Sequence, residues 1–499
     1  MEVKFNKKQL QCLRPFHCQV HSQEQVQEVR IPDAYPDIGK ILGCWGQVMI
    51  RGKEWRSNYM GANGGVAAWV LYAPEDGTQP RVVDVWIPFQ FRWDFPESAD
   101  DGKLVFCPAL TNLDGRGVSA RKIMVRAAVD AFGQGMTRLK TEIATTGEVP
   151  EDVQLLTRSY PLEIPTEAGE KQVQMEENLA FPVNNNEFHK LISYELSPMI
   201  TEAKVLGNRL VFRGQAYLQM MYMSEDGQIS KWETEIPFSQ YTELDKDYGP
   251  NASAWVLPVV TALEIEMAED AGLKMHGGIA AQYTIFDREI VNVVEDAFSP
   301  KRDVAVKAED VQLPILLDST VINMQVEGRM TDNARSIIAT VPLSEYPAVS
   351  MVENGTEVYM DGQYQVLWQD DEGQMQSELV RFNGSEPFRS APENKIQLWR
   401  GIPNSTEISP SGEGMIMRTD YPVTMQVYTG QTIPVVTTLE LGELKEPDPN
   451  RPSVVMRRVG DEGLWAIAKG YGSTVAAIQE ANQLNGEPEY GQMLLIPIS

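Results

Sequence analysis

Leu210-Val211-Phe212-Arg213-Gly214-Gln215-Ala216-Tyr217-Leu218-Gln219-Met220-Met221-Tyr222 alternates with a period of two. Leu210, Phe212, Ala216, Leu218, Met220 and Tyr222 lie on one side, and Val211, Arg213, Gln215 and Gln219 take the other. This is the pattern of a strand with one wet face. Gly214 interrupts the apolar side and reads as a bulge or bend. Glu225-Asp226-Gly227 then supplies a turn, with glycine free to take a positive φ. The return run sets Trp232, Thr234, Ile236 and Phe238 against Lys231, Glu233 and Glu235. Together they predict a long antiparallel hairpin.

Working outward, Leu263, Ile265 and Met267 alternate with Glu264 and Glu266, and residues 278–284 and 288–295 read as another strand pair. Long helical patterns are missing between these runs, so a parallel βαβ architecture is disfavoured and an antiparallel sandwich is expected. The same signals recur. Glu75-Asp76-Gly77 returns as Glu225-Asp226-Gly227, Ile87-Pro88-Phe89 as Ile236-Pro237-Phe238, and Lys40-Ile41-Leu42 as Lys190-Leu191-Ile192, at offsets of 149 or 150. A more diverged copy offers Leu367-Trp368 before Asp371-Glu372-Gly373. Glu151-Asp152-Val153-Gln154-Leu155 returns as Glu309-Asp310-Val311-Gln312-Leu313 at an offset of 158. Recurrence near one period predicts three homologous β units, at 1–150, 151–303 and 304–442, the last diverged. Pro36-Asp37 reads as a loop leading into the first unit rather than a helical turn. Residues 443–452, rich in proline and charge, read as a semi-extended linker before a last domain at 453–499.

With 70 Asp+Glu against 43 Lys+Arg, the net charge is −27. A field of that sign repels phosphate backbones and anionic lipid, which disfavours nucleic acid and membrane surfaces as partners. No apolar run approaches the roughly 20 residues of a membrane span, and the first residues lack the apolar core of a signal peptide. The expected location is therefore the cytoplasm. Four cysteines, Cys12, Cys18, Cys44 and Cys107, make no disulfide framework. Cys12, His17, Cys18 and His21 put four potential metal ligands within ten residues, but at none of the usual spacings. They read as reduced thiols and polar histidines near an edge strand. His189 and His276 sit in no metal motif, and no nucleophile elbow or phosphate loop occurs. Glu264 and Glu266 suit a solvated strand face. No catalytic residue, metal or cofactor is expected.

After residue 453 the periodicity changes. Residues 454–459 predict a strand. Asp461 caps a helix whose apolar face is Leu464, Ile467, Ala468 and Tyr471, with Gly470 and Gly472 at its end. Thr474 caps a second helix with Val475, Ile478 and Ala481 inward, and 493–496 closes as a strand after Gly491. Gly460-Asp461, Leu464-Trp465-Ala466-Ile467-Ala468-Lys469, Tyr471-Gly472, Thr474-Val475, Ile478, Asn482 and Gly491-Gln492-Met493-Leu494-Leu495-Ile496-Pro497 carry a resemblance to the LysM domain, a small β-α-α-β fold. The resemblance implies recognition of N-acetylglucosamine-containing glycans such as peptidoglycan. The groove would lie between Gly460, Asp461, Glu462 and Gly463 on one side and Asn482, Gln483, Leu484 and Asn485 on the other. Glu462 replaces the family's threonine in a loop one residue longer, which reshapes the groove edge. Trp465 reads as a core residue of the first helix rather than a sugar platform.

The joint layout resembles the SipL family of spore coat morphogenetic proteins, in which β-rich SPOCS repeats precede one LysM domain. Ile31-Pro32-Asp33, Pro36-Asp37-Ile38-Gly39-Lys40-Ile41-Leu42, Leu71-Tyr72, Glu75-Asp76-Gly77 and Ile87-Pro88-Phe89 carry it. The fold expected is mainly β: three sandwich-like SPOCS repeats and a small α+β LysM domain. The resemblance implies a non-enzymatic scaffold made in the mother cell and gathered at the outer forespore surface. Its partner would be the coat ATPase SpoIVA or another coat protein. The alternative is a glycan-binding protein of the cell envelope.

Overall fold

The computed structural model describes residues 3–179, 188–267, 272–331, 334–352, 355–412, 414–429, 432–446 and 451–498. Among them are 23 strands and two short helices, both near the C-terminus. The chain is mainly β. Among the described residues no helix is long and apolar enough to cross a membrane.

One pairing scheme recurs three times. First, Phe5–Arg30 pairs with Lys122–Gly147, which pairs with Lys103–Ser119, while Ile38–Arg56, Tyr59–Pro74 and Arg81–Asp94 form an antiparallel meander. Next, Gln154–Leu179 pairs with Leu273–Phe298, which pairs with Ser253–Met267, and the run Phe188–Ser224 pairs with Ile229–Tyr248. That run reverses near Gly207, whose φ is 61°, so that Thr201 Oγ1 donates to the Arg213 carbonyl at 3.2 Å. In the third set Pro314 separates Arg302–Gln312 from Leu316–Met330. These two strands pair respectively with Thr432–Leu444 and Gly414–Tyr428, beside the meander Ser336–Ser344, Gly355–Gln369 and Met375–Phe388. Proline has no N–H for a ladder, which accounts for the break. Within the first set the two sheets share a core: Phe106 of one lies 5.9 Å from the rings of both Phe91 and Trp93 of the other.

The repeat has a physical signature at three glycines. Gly64, Gly214 and Gly362 each stand directly opposite a phenylalanine, Phe89, Phe238 and Phe382. A Cβ on these glycines would lie 2.1, 2.3 and 2.4 Å from the carbonyl oxygens of Met49, Met199 and Leu343, and against the facing ring. The interruption at Gly214 is thus not a bulge, since the ladder runs through it in register. Glycine is required there because a carbonyl and a ring close in on the backbone. Phe382 is the third-set counterpart of the Ile-Pro-Phe motif, hidden from the sequence because Val380-Arg381 precedes it. The turns repeat as well. Gly77, Gly227 and Gly373 have φ of 72°, 83° and 78°, and each donates its N–H across its turn.

Aligned positions meet in space. Leu42 and Ile192 share a core with Leu71, Met221 and Leu367, the residues that precede the three turns. A second shared core takes residues from every set: Leu10 and Ile143, Leu162 and Val293, and Val435 with Ile315 from the break at Pro314. Between these two cores the rings of Phe132, Trp399 and Trp255 form a chain, with centroids 4.8 and 4.4 Å apart. There the fully buried Gln282 exchanges two hydrogen bonds with the Phe106 backbone, at 2.8 and 2.9 Å. A buried amide satisfied this way fixes how two sets dock, because any sliding leaves it unpaired. The three sets therefore fold around common cores.

Two sequence expectations differ from the structure. Residues 278–284 and 288–295 are not a strand pair but parts of the single strand Leu273–Phe298, with Gln154–Leu179 and Ser253–Met267 on its two sides. The pentapeptide at 151–155 opens a strand, whereas its twin at 309–313 closes one, so that match does not mark equivalent positions. Pro36-Asp37 is a loop, held by a residue that carries no sequence signal. Arg121 donates to the carbonyls of Pro32 and Tyr35 at 2.8 and 2.7 Å and to the Asp37 carboxylate at 2.9 Å.

Candidate functional site: the C-terminal module

Val454–Arg458 pairs antiparallel with Met493–Pro497, and helices α1 (Leu464–Tyr471) and α2 (Val475–Asn482) pack on one side. Leu464, Ile467, Ala468, Ile478, Leu494 and Ile496 make the core. Gly472, at φ 62°, ends α1, and Thr474 caps α2 by accepting the Ala477 N–H at 3.1 Å. Asp461 is not the cap of α1. Gly463 occupies that place and has no side chain to offer. Its role passes to Glu487, whose carboxylate accepts the Leu464 N–H at 2.8 Å from the far side of the groove. Ala481 is exposed rather than inward, because α2 buries only Ile478 fully.

Glu487, just past the second of the two loops expected to form a groove, reaches across to the first. Its carboxylate lies against Gly463, in the position where a ligand's carbonyl would accept a backbone N–H. Gly460 sits beside the carboxylate of Glu462, which is ion-paired with Arg457. Asp461, Gly463, Gln483 and Asn485 are exposed, and Leu484 packs onto the domain core. The Asn482 amide is fully engaged with the closing strand, donating to the Leu495 carbonyl at 2.6 Å and accepting the Leu495 N–H at 2.7 Å. Asn482 thus anchors the groove wall. Gln483 ends α2 at φ 55°, a left-handed conformation that non-glycine residues rarely adopt.

Trp465 is half-buried, packed against the module's core at its edge. Its ring stands edge-on to Phe298 of the second strand set, at 4.7 Å, and its Nε1 donates to Asp296 at 2.8 Å. Lys469, one turn later on α1, ion-pairs with the same carboxylate at 2.7 Å. Burial would raise the pKa of Asp296, but the bonds from Lys469, Trp465 and the Ala297 N–H outweigh it and hold the carboxyl below its ordinary value. The module is therefore docked on the end of Leu273–Phe298 through one aromatic pair and one charge-assisted contact. Between the linker and this dock, Arg451 donates to the Tyr471 carbonyl at 2.8 Å; residues 447–450 of the linker lie outside the described residues.

The sheet face turned away from the helices is apolar and open. Val454, Met456, Met493 and Leu495 are 49%, 64%, 52% and 41% exposed, and Met456 stands directly opposite Leu495. Such a patch on so small a domain is the kind of surface that contacts another protein.

Elsewhere, Cys12, His17, Cys18 and His21 are strung along the outer strand Phe5–Arg30. Cys12 is buried in a shared core and His21 stacks on Trp93 at 5.3 Å, so the extended backbone carries them apart. Among the described residues no three His, Cys, Asp or Glu side chains group as metal ligands. Glu264 and Glu266 are solvated, and His276 lies in a strand, 3.8 Å from Glu176. The side chain of His189 lies outside the described residues.

Comparison with protein-family models finds two matches: the SipL SPOCS domain over residues 188–268, and the LysM domain over residues 460–497. The first spans the hairpin with the Gly214–Phe238 contact, and the second spans the groove and both helices. Searches of curated proteins and of solved structures return no match. Both matched families are non-catalytic binding or scaffold domains. The chain thus carries a match to the SipL SPOCS domain within its β-rich body and a match to the LysM domain at its C-terminal end, the combination found in SipL-like proteins.

Proposed function

We propose that this chain is a non-enzymatic spore coat scaffold. Three repeated β units (1–150, 151–303 and 304–442) would form a rigid body, and the LysM domain at 453–499 would hold it to a basement-layer protein such as SpoIVA. The place of action would be the outer forespore surface, on the mother-cell side. The observation that carries this reading is the state of the LysM groove. Glu487 already occupies the α1 backbone donor, while the sheet on the opposite side offers an open apolar face. A closed groove and an open apolar patch favour a protein partner over a sugar. The dock through Trp465 and Lys469 supports it too, since a fixed module transmits position to the body it is attached to. The second reading, a glycan-binding envelope protein, rests on the LysM match itself.

The test is retention of the purified chain on immobilised SpoIVA and, separately, on sedimented peptidoglycan. The scaffold reading expects retention on SpoIVA that is lost when residues 451–499 are deleted or when Met456→Asp is introduced. Retention on peptidoglycan alone contradicts it and promotes the second reading.

A further inference from the structure

The three strand sets meet at three junctions, and side-chain hydrogen bonds cross them. Between first and second, Gln47 accepts the Leu196 N–H at 2.8 Å, and Lys190 donates to Tyr35 Oη at 2.9 Å. Between third and first, Gln363 donates to Asn112 at 2.9 Å and Lys40 donates to Gln376 at 2.6 Å. The junction between second and third holds a cavity of about 840 Å³, and that between first and second another of about 690 Å³.

One wall of the larger cavity is the outer strand Ser336–Ser344, which pairs on its other side with Gly355–Gln369. Six consecutive residues, 337–342, line the space. Side chains alternate between the faces of a strand, so an unbroken run of lining residues means that the backbone edge itself faces the cavity. Pro342 belongs to that edge, the place in a sheet where proline is tolerated. Thr340 Oγ1 is shut off from solvent and has no hydrogen-bond partner.

The floor is a sheet face of the second set. Tyr217 stands opposite Glu235 and Gln219 opposite Glu233, with Glu195 beside them. Five carboxylates line the cavity, those of Glu195, Glu233, Glu235, Glu407 and Asp420, against Lys231 and Arg418. Arg418 is already held by Glu327 at 2.9 Å. Burial pushes the Glu195 carboxyl above its ordinary value, and a cation brought close would draw it back down. Glu233 and Glu235 are two residues apart on one strand, a spacing of about 7 Å, which is also the spacing of alternate residues on any strand laid alongside.

We propose that the Ser336–Ser344 edge accepts an extended segment of a partner protein as an added strand, with basic side chains at alternate positions laid over Glu233 and Glu235. Main-chain bonds to the edge supply affinity, and the acidic floor selects the sequence. The ladder slips between Ile337 and Ala339, and Leu343 and Ser344 are buried, so the regular edge open to the cavity is 339–342, about 13 Å long. This surface is distinct from the LysM groove and adds a second point of attachment.

The test uses the full chain and a synthetic nonapeptide of alternating lysine and valine, capped at both ends. It is compared with a glutamate-for-lysine version and with two versions N-methylated at alternate amides, one in each phase. By fluorescence anisotropy the lysine peptide should bind. One methylated phase should weaken binding about tenfold and the other should not, because only one set of amides reaches the edge. The double variant Glu233→Lys/Glu235→Lys should also lose about tenfold. Hydrogen exchange on the unaltered chain should show protection of 339–342 when the lysine peptide is added. The proposal is overturned if the lysine peptide does not bind, if both methylated phases bind as the parent does, if the charge reversal changes nothing, or if 339–342 gains no protection.

Discussion

The LysM module and the β body hold together in opposite ways. The module draws its core from fewer than fifty residues, plus one visiting ring, Phe298. In the body, strands of up to 26 residues deliver side chains to cores shared by all three sets. A local core confines damage, whereas shared cores spread it. The module is thus a separable unit with its own core, and the body a single frame.

The strongest test of this contrast is a cavity in each. Ile478→Ala, at a fully buried site, should cost about 2–5 kcal/mol. It should abolish the module's transition in calorimetry while leaving that of the body in place. Gly214→Ala should cost about 1–3 kcal/mol, because the new methyl meets a carbonyl and a ring that cannot both retreat. It should lower the transition of the whole body and leave the module folded. If Gly214→Ala melts only residues 188–248, the cores are not shared in the way described.

The dock between the two regions is the next point of attack. Trp465→Ala removes the Phe298 contact and a bond to Asp296, together worth about 2 kcal/mol. Limited proteolysis should then cut at 443–452 faster, with no change in the melting of either region. Acid should do the same reversibly. The Asp296 carboxyl is held below its ordinary value of 3.8 when docked, so its contribution is present above that pH and fades as pH falls through the lower, docked value. Proteolysis of the linker by an acid-tolerant enzyme should accelerate below about pH 4, and Asp296→Asn should remove that dependence. The smallest effect is chemical. Burial pushes the Cys107 thiol up to about 11, so it should resist iodoacetamide at pH 8 in the intact frame and react only when the body unfolds.

What the sequence disclosed follows the same division. In the module, Thr474, Gly472 and Ile478 act as their local chemistry foretells, since caps and an i, i+3, i+4 face are decided within a turn or two. In the body, period-two alternation disclosed the strands, and the repeated turns disclosed the equivalence of Leu71, Met221 and Leu367. Contacts that cross between regions left no such trace. Trp465 looks like a core residue because its partner, Phe298, lies 167 positions away. Glu487 caps α1 from beyond α2, so Asp461, close in sequence, took the credit. Gly214 resembled a bulge because Met199 and Phe238, which require it to be glycine, belong to neighbouring strands. Arg121 pins a loop more than eighty residues upstream. The open junction between the second and third sets depends on edges and faces from two sets, and no single motif contains it.

The central claim is that this frame acts at the forespore through a protein partner. It is tested most directly by imaging the fluorescently tagged full-length chain in sporulating cells, with and without SpoIVA. The account predicts a ring around the forespore that disperses when SpoIVA is absent and when residues 451–499 are removed. Signal along vegetative side walls, or in the medium, would contradict it and make glycan binding the function to pursue.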